Sequence, residues 1–207
     1  MSDASDQDKK NQKHKESMQK QKESIDSTIA KADEERGVLI FLTGNGKGKS
    51  SSGFGMVMRA LGYGQKVAVV QFIKGQQLSG EELYIRDKLS DEVTFYQMGT
   101  GFTWDTQDRS ADIAAAEATW KVAEKALTDP SYDLVLLDEI TYMIGYKYLN
   151  EETILNTLKN RPKNMSVVVT GRGGGSGLKE IADTVSEVKD IKHAYNSGVK
   201  ARQGVDY

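Results

Sequence analysis

The stretch Val38-Leu39-Ile40-Phe41-Leu42-Thr43-Gly44-Asn45-Gly46-Lys47-Gly48-Lys49-Ser50-Ser51 decides how this chain is read. Val38 to Thr43 is an apolar run of strand length, and the residues after Ser50 have helical spacing. A strand, a glycine-rich turn and Gly-Lys-Ser opening a helix make a phosphate-binding loop. Glycines let the backbone curl until several N–H groups face one anion. Lys49 adds a mobile positive charge, and Ser50 offers a hydroxyl to Mg²⁺. Gly44, Asn45, Gly46, Lys47, Gly48, Lys49, Ser50 and Ser51 are therefore the candidate nucleotide-binding residues, for a nucleoside triphosphate.

The loop departs from the common G-x-x-x-x-G-K-[ST] form. Only Asn45, Gly46 and Lys47 separate Gly44 from Gly48, and Thr43 stands where the outer glycine would be. A loop one residue short should seat the phosphates differently.

Working outward, a length of 207 residues suits one α/β domain with a short appendage. A net charge of −2 gives no strong pull toward nucleic acid or an anionic membrane. The absence of cysteine excludes disulfides and thiolate zinc sites, and the two histidines, His14 and His193, leave little for a histidine metal site. No apolar run has membrane-spanning length, and the charged N-terminus lacks a signal-peptide core, so a soluble cytoplasmic protein is expected.

Residues 1 to 36 differ in composition from the rest and form a separate tail. Up to about Asn11 they read as disordered. From Lys15 to Arg36 helix formers dominate, and Met18, Ile25 and Ile29 lie on one face. Such a helix either docks when something is bound or stays a mobile tail.

Residues 37 to 207 alternate strands with helices. Strands are expected at Val38–Thr43, Val67–Phe72, Glu92–Met98, Asp133–Asp138, Ser166–Thr170 and Val185–Lys192. Helices are expected at Ser50–Leu61, Glu81–Leu89, Asp108–Leu127, Glu151–Asn160 and Leu178–Ala182, with Phe54, Met58 and Leu61 inward on the first and Ala116, Trp120, Ala123 and Leu127 inward on the third. This pattern predicts an α/β fold, a mostly parallel sheet with helices on both faces. Ligands then bind at the carboxyl ends of the strands, gathering the loops after Thr43, Phe72, Asp138 and Thr170.

Leu134-Val135-Leu136-Leu137 ends in Asp138 and Glu139. One of these should face Mg²⁺, directly or through water; the plainer reading is an acid capping the next helix. Thr170-Gly171-Arg172-Gly173-Gly174-Gly175-Ser176-Gly177 either offers N–H groups and Arg172 to an anion or is a plain connection. Arg59 reads as a solvated charge. Phe102 and Trp104, among glycines in Gly99-Thr100-Gly101-Phe102-Thr103-Trp104, either meet a flat apolar partner or pack on the core. No nucleophile–base pair is evident.

Together these pieces resemble the ATP:corrinoid adenosyltransferases of the CobA type. The match runs through Glu35-Arg36-Gly37, Thr43 to Ser50, Gln71-Phe72-Ile73-Lys74-Gly75, Gly101-Phe102-Thr103-Trp104, Leu137-Asp138-Glu139 with Tyr142, and Ala182-Asp183-Thr184-Val185-Ser186-Glu187. It continues through Lys192-His193-Ala194-Tyr195 and Gly198-Val199-Lys200-Ala201 to Gly204-Val205-Asp206-Tyr207. The resemblance covers residue 19 to the end, in order.

The resemblance implies a P-loop NTPase (RecA-like) fold and transfer of the 5′-deoxyadenosyl group of ATP to the Co(I) of a corrinoid, with release of triphosphate, in adenosylcobalamin synthesis or salvage. Reduced cobalt is itself the nucleophile, so no protein base is required. Lys49, the loop N–H groups and Mg²⁺ would neutralise the departing triphosphate. ATP lies reversed in the family's loop, and the short loop is the local correlate. Phe102 and Trp104 would pack below the corrin ring and displace the lower axial ligand, easing reduction of Co(II). Ser50 is expected on Mg²⁺ with Glu139 the preferred carboxylate over Asp138, and Arg59 near the nucleotide sugar. The resemblance also implies a lid role for the N-terminal helix, a homodimer, and a reductant such as a flavoprotein. Ser50 replaces the family's usual Thr, and Gly174-Gly175-Ser176-Gly177 replaces a Cys-His and charged segment, which should loosen that turn. The residues alone leave two alternatives open, a conventional P-loop hydrolase or kinase and a non-catalytic binding module.

Overall fold

A computed structural model describes residues 2–73, 78–99 and 108–207. The chain divides into two units, Met1–Glu35 and Arg36–Tyr207. The first carries one helix, α1 (Ser2–Ile29). The disorder expected up to about Asn11 and the helix expected to reach Arg36 are thus both corrected. No Gly or Pro interrupts the stretch, and side chains one turn apart are joined: Gln12 to Glu16 at 3.0 Å, Gln19 to Glu23 at 2.9 Å and Lys22 to Asp26 at 2.9 Å. Each such pair contributes only about 0.2–0.5 kcal/mol, but propensity along the whole run points one way.

The second unit is built on six strands: β1 (Leu39–Thr43), β2 (Val67–Gln71), β3 (Val93–Gln97), β4 (Leu134–Asp138), β5 (Ser166–Thr170) and β6 (Thr184–Glu187). Their order across the sheet is β3-β2-β4-β5-β1-β6, and every pairing is parallel. Parallel strands need covered crossovers, which explains the apolar residues on both faces of β2, β4 and β5. The helices are α2 (Lys49–Gly62), α3 (Gly80–Lys88), α4 (Arg109–Thr128), α5 (Thr141–Gly145), α6 (Glu151–Lys159) and α7 (Ser176–Ile181), followed by a 3₁₀ turn at Ala194–Ser197.

Successive strand residues point to opposite faces, so the core has two layers. On one face Phe41, Val70, Val135, Leu137 and Val169 pack with Ala116, Trp120, Ala123 and Leu127 of α4, Ile154 and Leu158 of α6 and Leu178 of α7. On the other, Leu42, Val69, Leu136 and Val168 pack with Phe54, Val57 and Ala60 of α2 and Ile85 of α3. Leu136 is fully buried there, and truncating it to Ala would cost about 2–5 kcal/mol.

The α4 face follows the expected spacing. The α2 face is corrected: Met58 is 48 % exposed, and the inward residues are Gly53, Phe54, Val57 and Ala60. A methyl group at Gly53 would stand 2.9 Å from Leu136 Cδ1, so this glycine brings α2 close to β4 and turns Met58 outward. The last strand is also shorter than expected, ending at Glu187, with all four of its residues exposed at the sheet's edge.

Candidate active site

The carboxyl ends of β1, β2, β4 and β5 meet at one edge, beside a cavity of about 750 Å³. The loop after β1 forms one wall, with Gly46, Lys47, Gly48, Lys49, Ser50 and Ser51. Gly48 holds φ 118° at the start of α2, a conformation open to glycine that turns the following N–H groups toward the cavity. Lys49 is only 4 % exposed, and its Nζ donates to the Gly46 carbonyl at 2.8 Å. Burial pushes its pKa down, opposed by the negative charge of Glu139.

The opposite side carries Gln71, Asp138, Glu139 and Arg172. The residues alone leave Asp138 and Glu139 equivalent, the resemblance prefers Glu139, and their surroundings in the structure differ. Asp138 is buried with both oxygens engaged: Thr170 Oγ1 donates to Oδ1 at 2.6 Å, and Gln71 Nε2 donates to Oδ2 at 2.9 Å. Glu139 has a buried Oε2 with no hydrogen-bond partner among the described residues. Its backbone sits at φ 60°, unusual for a residue with a Cβ, where its N–H donates to Thr170 Oγ1 at 3.0 Å. Burial and the adjacent Asp138 charge raise its pKa to about 7, against the pull of Lys49 and Arg172.

This donor set fits a hard divalent cation bound together with a triphosphate. Glu139 supplies a carboxylate oxygen without a hydrogen-bond partner among the described residues, and Ser50 a hydroxyl at the helix start. Among the described residues no group of three acidic or histidine side chains could hold a metal alone. The phosphates would have to complete such a site.

Other expected residues lie elsewhere. Gly44 and Asn45 belong to the loop's outer arm, off the cavity lining, and Arg59 is on the exposed side of α2's last turn. Phe102 and Trp104 fall outside the described residues. After Arg172, Gly173, Gly174 and Gly175 hold φ 59°, 55° and 74°, and a Cβ on Gly177 would reach within 2.5 Å of Leu155.

The C-terminal segment lines the cavity without any residue-level signal for it. His193, Gly204, Val205, Asp206 and Tyr207 all contribute. Val188 accepts from the Gly46 N–H at 2.7 Å, and Asp206 pairs with Lys47 Nζ at 2.9 Å. On the third side stand Ser79, Gly80, Glu81, Tyr84 and Ile85 of α3 and its start.

Residues 35–207 match the family model described as ATP:corrinoid adenosyltransferase BtuR/CobO/CobP. A corrinoid adenosyltransferase of Pseudomonas aeruginosa is 52% identical over 198 residues, spanning 96% of this chain and 97% of that protein. One from Escherichia coli K12 is 48% identical over 197 residues, spanning 95% and 98%. The chain belongs to the ATP:corrinoid adenosyltransferase family. As a family member it is an enzyme that adenosylates corrinoids. Among solved structures, the flagellar accessory protein FlaH of Methanocaldococcus jannaschii superposes with a TM-score of 0.50 at 15% identity, covering 74% of this chain and 71% of that one. That likeness concerns the fold, a P-loop NTPase fold as the loop predicts. No helix among the described residues is long and apolar enough to cross a membrane.

Proposed function

We propose that this protein transfers the 5′-deoxyadenosyl group of ATP to the Co(I) of a corrinoid and releases triphosphate. The observation that carries the reading is a family match over residues 35–207 converging on a phosphate loop whose lysine is buried at the cavity wall. Cobalt's electron pair forms the Co–C5′ bond as the C5′–O bond breaks, and the oxygen keeps that bond's pair. No proton moves in this step, so it asks the cavity for charge and positioning.

Lys49 and the N–H groups at the start of α2 hold the departing triphosphate and take up its growing charge. Phosphate oxygens would replace the Gly46 carbonyl as acceptors for Lys49. Arg172 adds a second positive charge at the carboxyl edge. Ser50 and Glu139 would hold Mg²⁺, which when bound neutralises phosphate charge. Phe102 and Trp104 take the role below the corrin ring, α1 that of a lid, and Arg59 a place near the sugar. A homodimer, a cytoplasmic setting and a flavoprotein-class reductant complete the reading.

Mixing the protein anaerobically with MgATP and chemically reduced cobalamin tests it. A light-sensitive alkyl-cobalt spectrum with triphosphate as product is expected; orthophosphate with an unchanged spectrum would overturn it. Replacing Phe102 and Trp104 by Ala should reduce turnover from Co(II) with a reductant far more than turnover from preformed Co(I). Equal losses would remove their assigned role.

A further inference from the structure

Four strands end on a polar residue in one row. Gln97, Gln71, Asp138 and Thr170 are the last residues of β3, β2, β4 and β5. Gln71 is in register with both Gln97 and Asp138, and the pairing of Leu137 with Val169 places Thr170 beside Asp138. Side chains in one row of a parallel sheet point to the same face, here the face of Leu136 and Val69 that α2 and α3 cover.

The row is hydrogen-bonded from end to end. Gln97 Nε2 donates to Gln71 Oε1 at 3.2 Å and to Glu82 Oε2 of α3 at 3.0 Å. Glu82, 2 % exposed, also accepts from Arg86 Nε at 2.9 Å. Gln71 Nε2 donates to Asp138, Thr170 Oγ1 donates to Asp138, and Thr170 Oγ1 accepts from the Glu139 N–H.

The donors run in one direction, and that fixes the outcome. The Gln97 amide group holds Gln71 with its oxygen outward and its NH₂ toward Asp138. Asp138 then accepts on both oxygens, so the single Thr170 proton goes to it. The Thr170 lone pair is left facing the Glu139 N–H, holding that residue at positive φ. A reversed Gln71 would set two acceptors face to face at Asp138.

We propose that Gln97 and Glu82 are positioning residues that act through this row to aim Glu139 into the cavity. Neither lines the cavity itself, whereas their neighbours Glu81, Tyr84 and Ile85 do, so the row also ties the α3 wall to the carboxylate. The inference rests on the reading of Glu139 as the carboxylate that serves Mg²⁺–ATP.

Gln97→Met keeps the length of the side chain and removes its donors. In the ligand-free protein, exchange of the Glu139 amide should accelerate about tenfold, the net worth of roughly one hydrogen bond, while the Val69 and Leu136 amides stay unchanged. By calorimetry, ATP affinity without Mg²⁺ should be unchanged, and the Mg²⁺ concentration that half-saturates the gain in ATP affinity should rise about tenfold. Glu82→Gln, which leaves one acceptor oxygen for the two donors Gln97 Nε2 and Arg86 Nε, should do the same to a smaller degree. Uniform acceleration of all three amides, or an unmoved Mg²⁺ midpoint in both variants, would overturn the proposal. Glu139→Gln in the same titration separates the two ideas. If it too leaves the midpoint unmoved, the Glu139 reading fails and the proposal with it. If it shifts the midpoint while Gln97→Met does not, the positioning role alone fails.

Discussion

Asp183, just before β6, accepts from Arg36 Nη2 at 2.7 Å and from the Leu39 N–H at 2.7 Å, with Arg161 Nη2 3.6 Å away. Glu139, just after β4, has a buried oxygen with no donor among the described residues. The hydrogen bond from Arg36 leads the causes that hold Asp183 down to about pKa 2, whereas burial leads those that raise Glu139 to about 7. These carboxylates stand at opposite ends of one sheet: Asp183 clips the start of β1, and Glu139 opens on the cavity. The contrast separates a charge committed to the fold from one left open to a ligand. An unpaired buried carboxylate weakens the ligand-free protein, and a bound cation would offset that cost.

Removing the cation that faces Glu139 should have the largest effect. Lys49→Met is expected to lower turnover with Co(I) corrinoid at least about a hundredfold, because the leaving triphosphate loses its buried counter-charge. A loss confined to KM for ATP would mean Lys49 binds both states equally.

Glu139→Gln should lower turnover about tenfold or more at fixed Mg²⁺. It should also stabilise the ligand-free protein. The folded pKa, about 7, lies above the ordinary value of 4.5, so the folded state binds more protons between those limits. Parental stability should therefore fall as pH rises from about 4.5 to about 7, and the advantage of the variant should vanish below that window. Denaturant midpoints at several pH values check this; a variant no more stable than the parent at pH 8 would contradict it.

Asp183→Asn should show the reverse profile. A loss of about 1–2 kcal/mol is expected from weakened charge-assisted bonds, moderated by partial exposure, with turnover nearly unchanged. Here the folded pKa, about 2, lies below the ordinary value of 3.8, so the stabilisation is present above 3.8 and is lost as pH falls through about 2. A large loss of turnover in a folded Asp183→Asn protein would erase the distinction between the two ends.

Asp206→Asn should do least. Its partner Lys47 is 43 % exposed and lies in the phosphate loop. Releasing Lys47 should raise ATP affinity about twofold at low salt, an effect that high salt removes.

Much of this site is legible in the sequence because its parts are contiguous. The strand, the glycine loop and Lys49 occupy one short run, and the acidic pair follows an unbroken apolar strand. What separates Asp138 from Glu139 is not contiguous. Their partners Gln71 and Thr170 come from strands distant in sequence, and only the order β3-β2-β4-β5-β1-β6 brings them together. Strand–helix alternation predicts a parallel sheet but does not say that β5 inserts between β1 and β4. The C-terminal residues show no role in the sequence for a similar reason: Gly204 to Tyr207 carry no periodicity, and their place follows from the chain packing back on the phosphate loop after β6. Helical spacing puts Met58 inward because it does not register that Gly53 lets α2 approach β4.

The most direct test of the account follows one atom. ATP carrying ¹⁸O at the oxygen bridging C5′ and the α-phosphorus is turned over with Co(I) corrinoid, and the products are analysed by mass. The account predicts that the label leaves entirely in triphosphate, because the C5′–O bond breaks. Label retained on the nucleoside, in ADP or AMP, would mean cleavage at phosphorus and would contradict adenosyl transfer at this site.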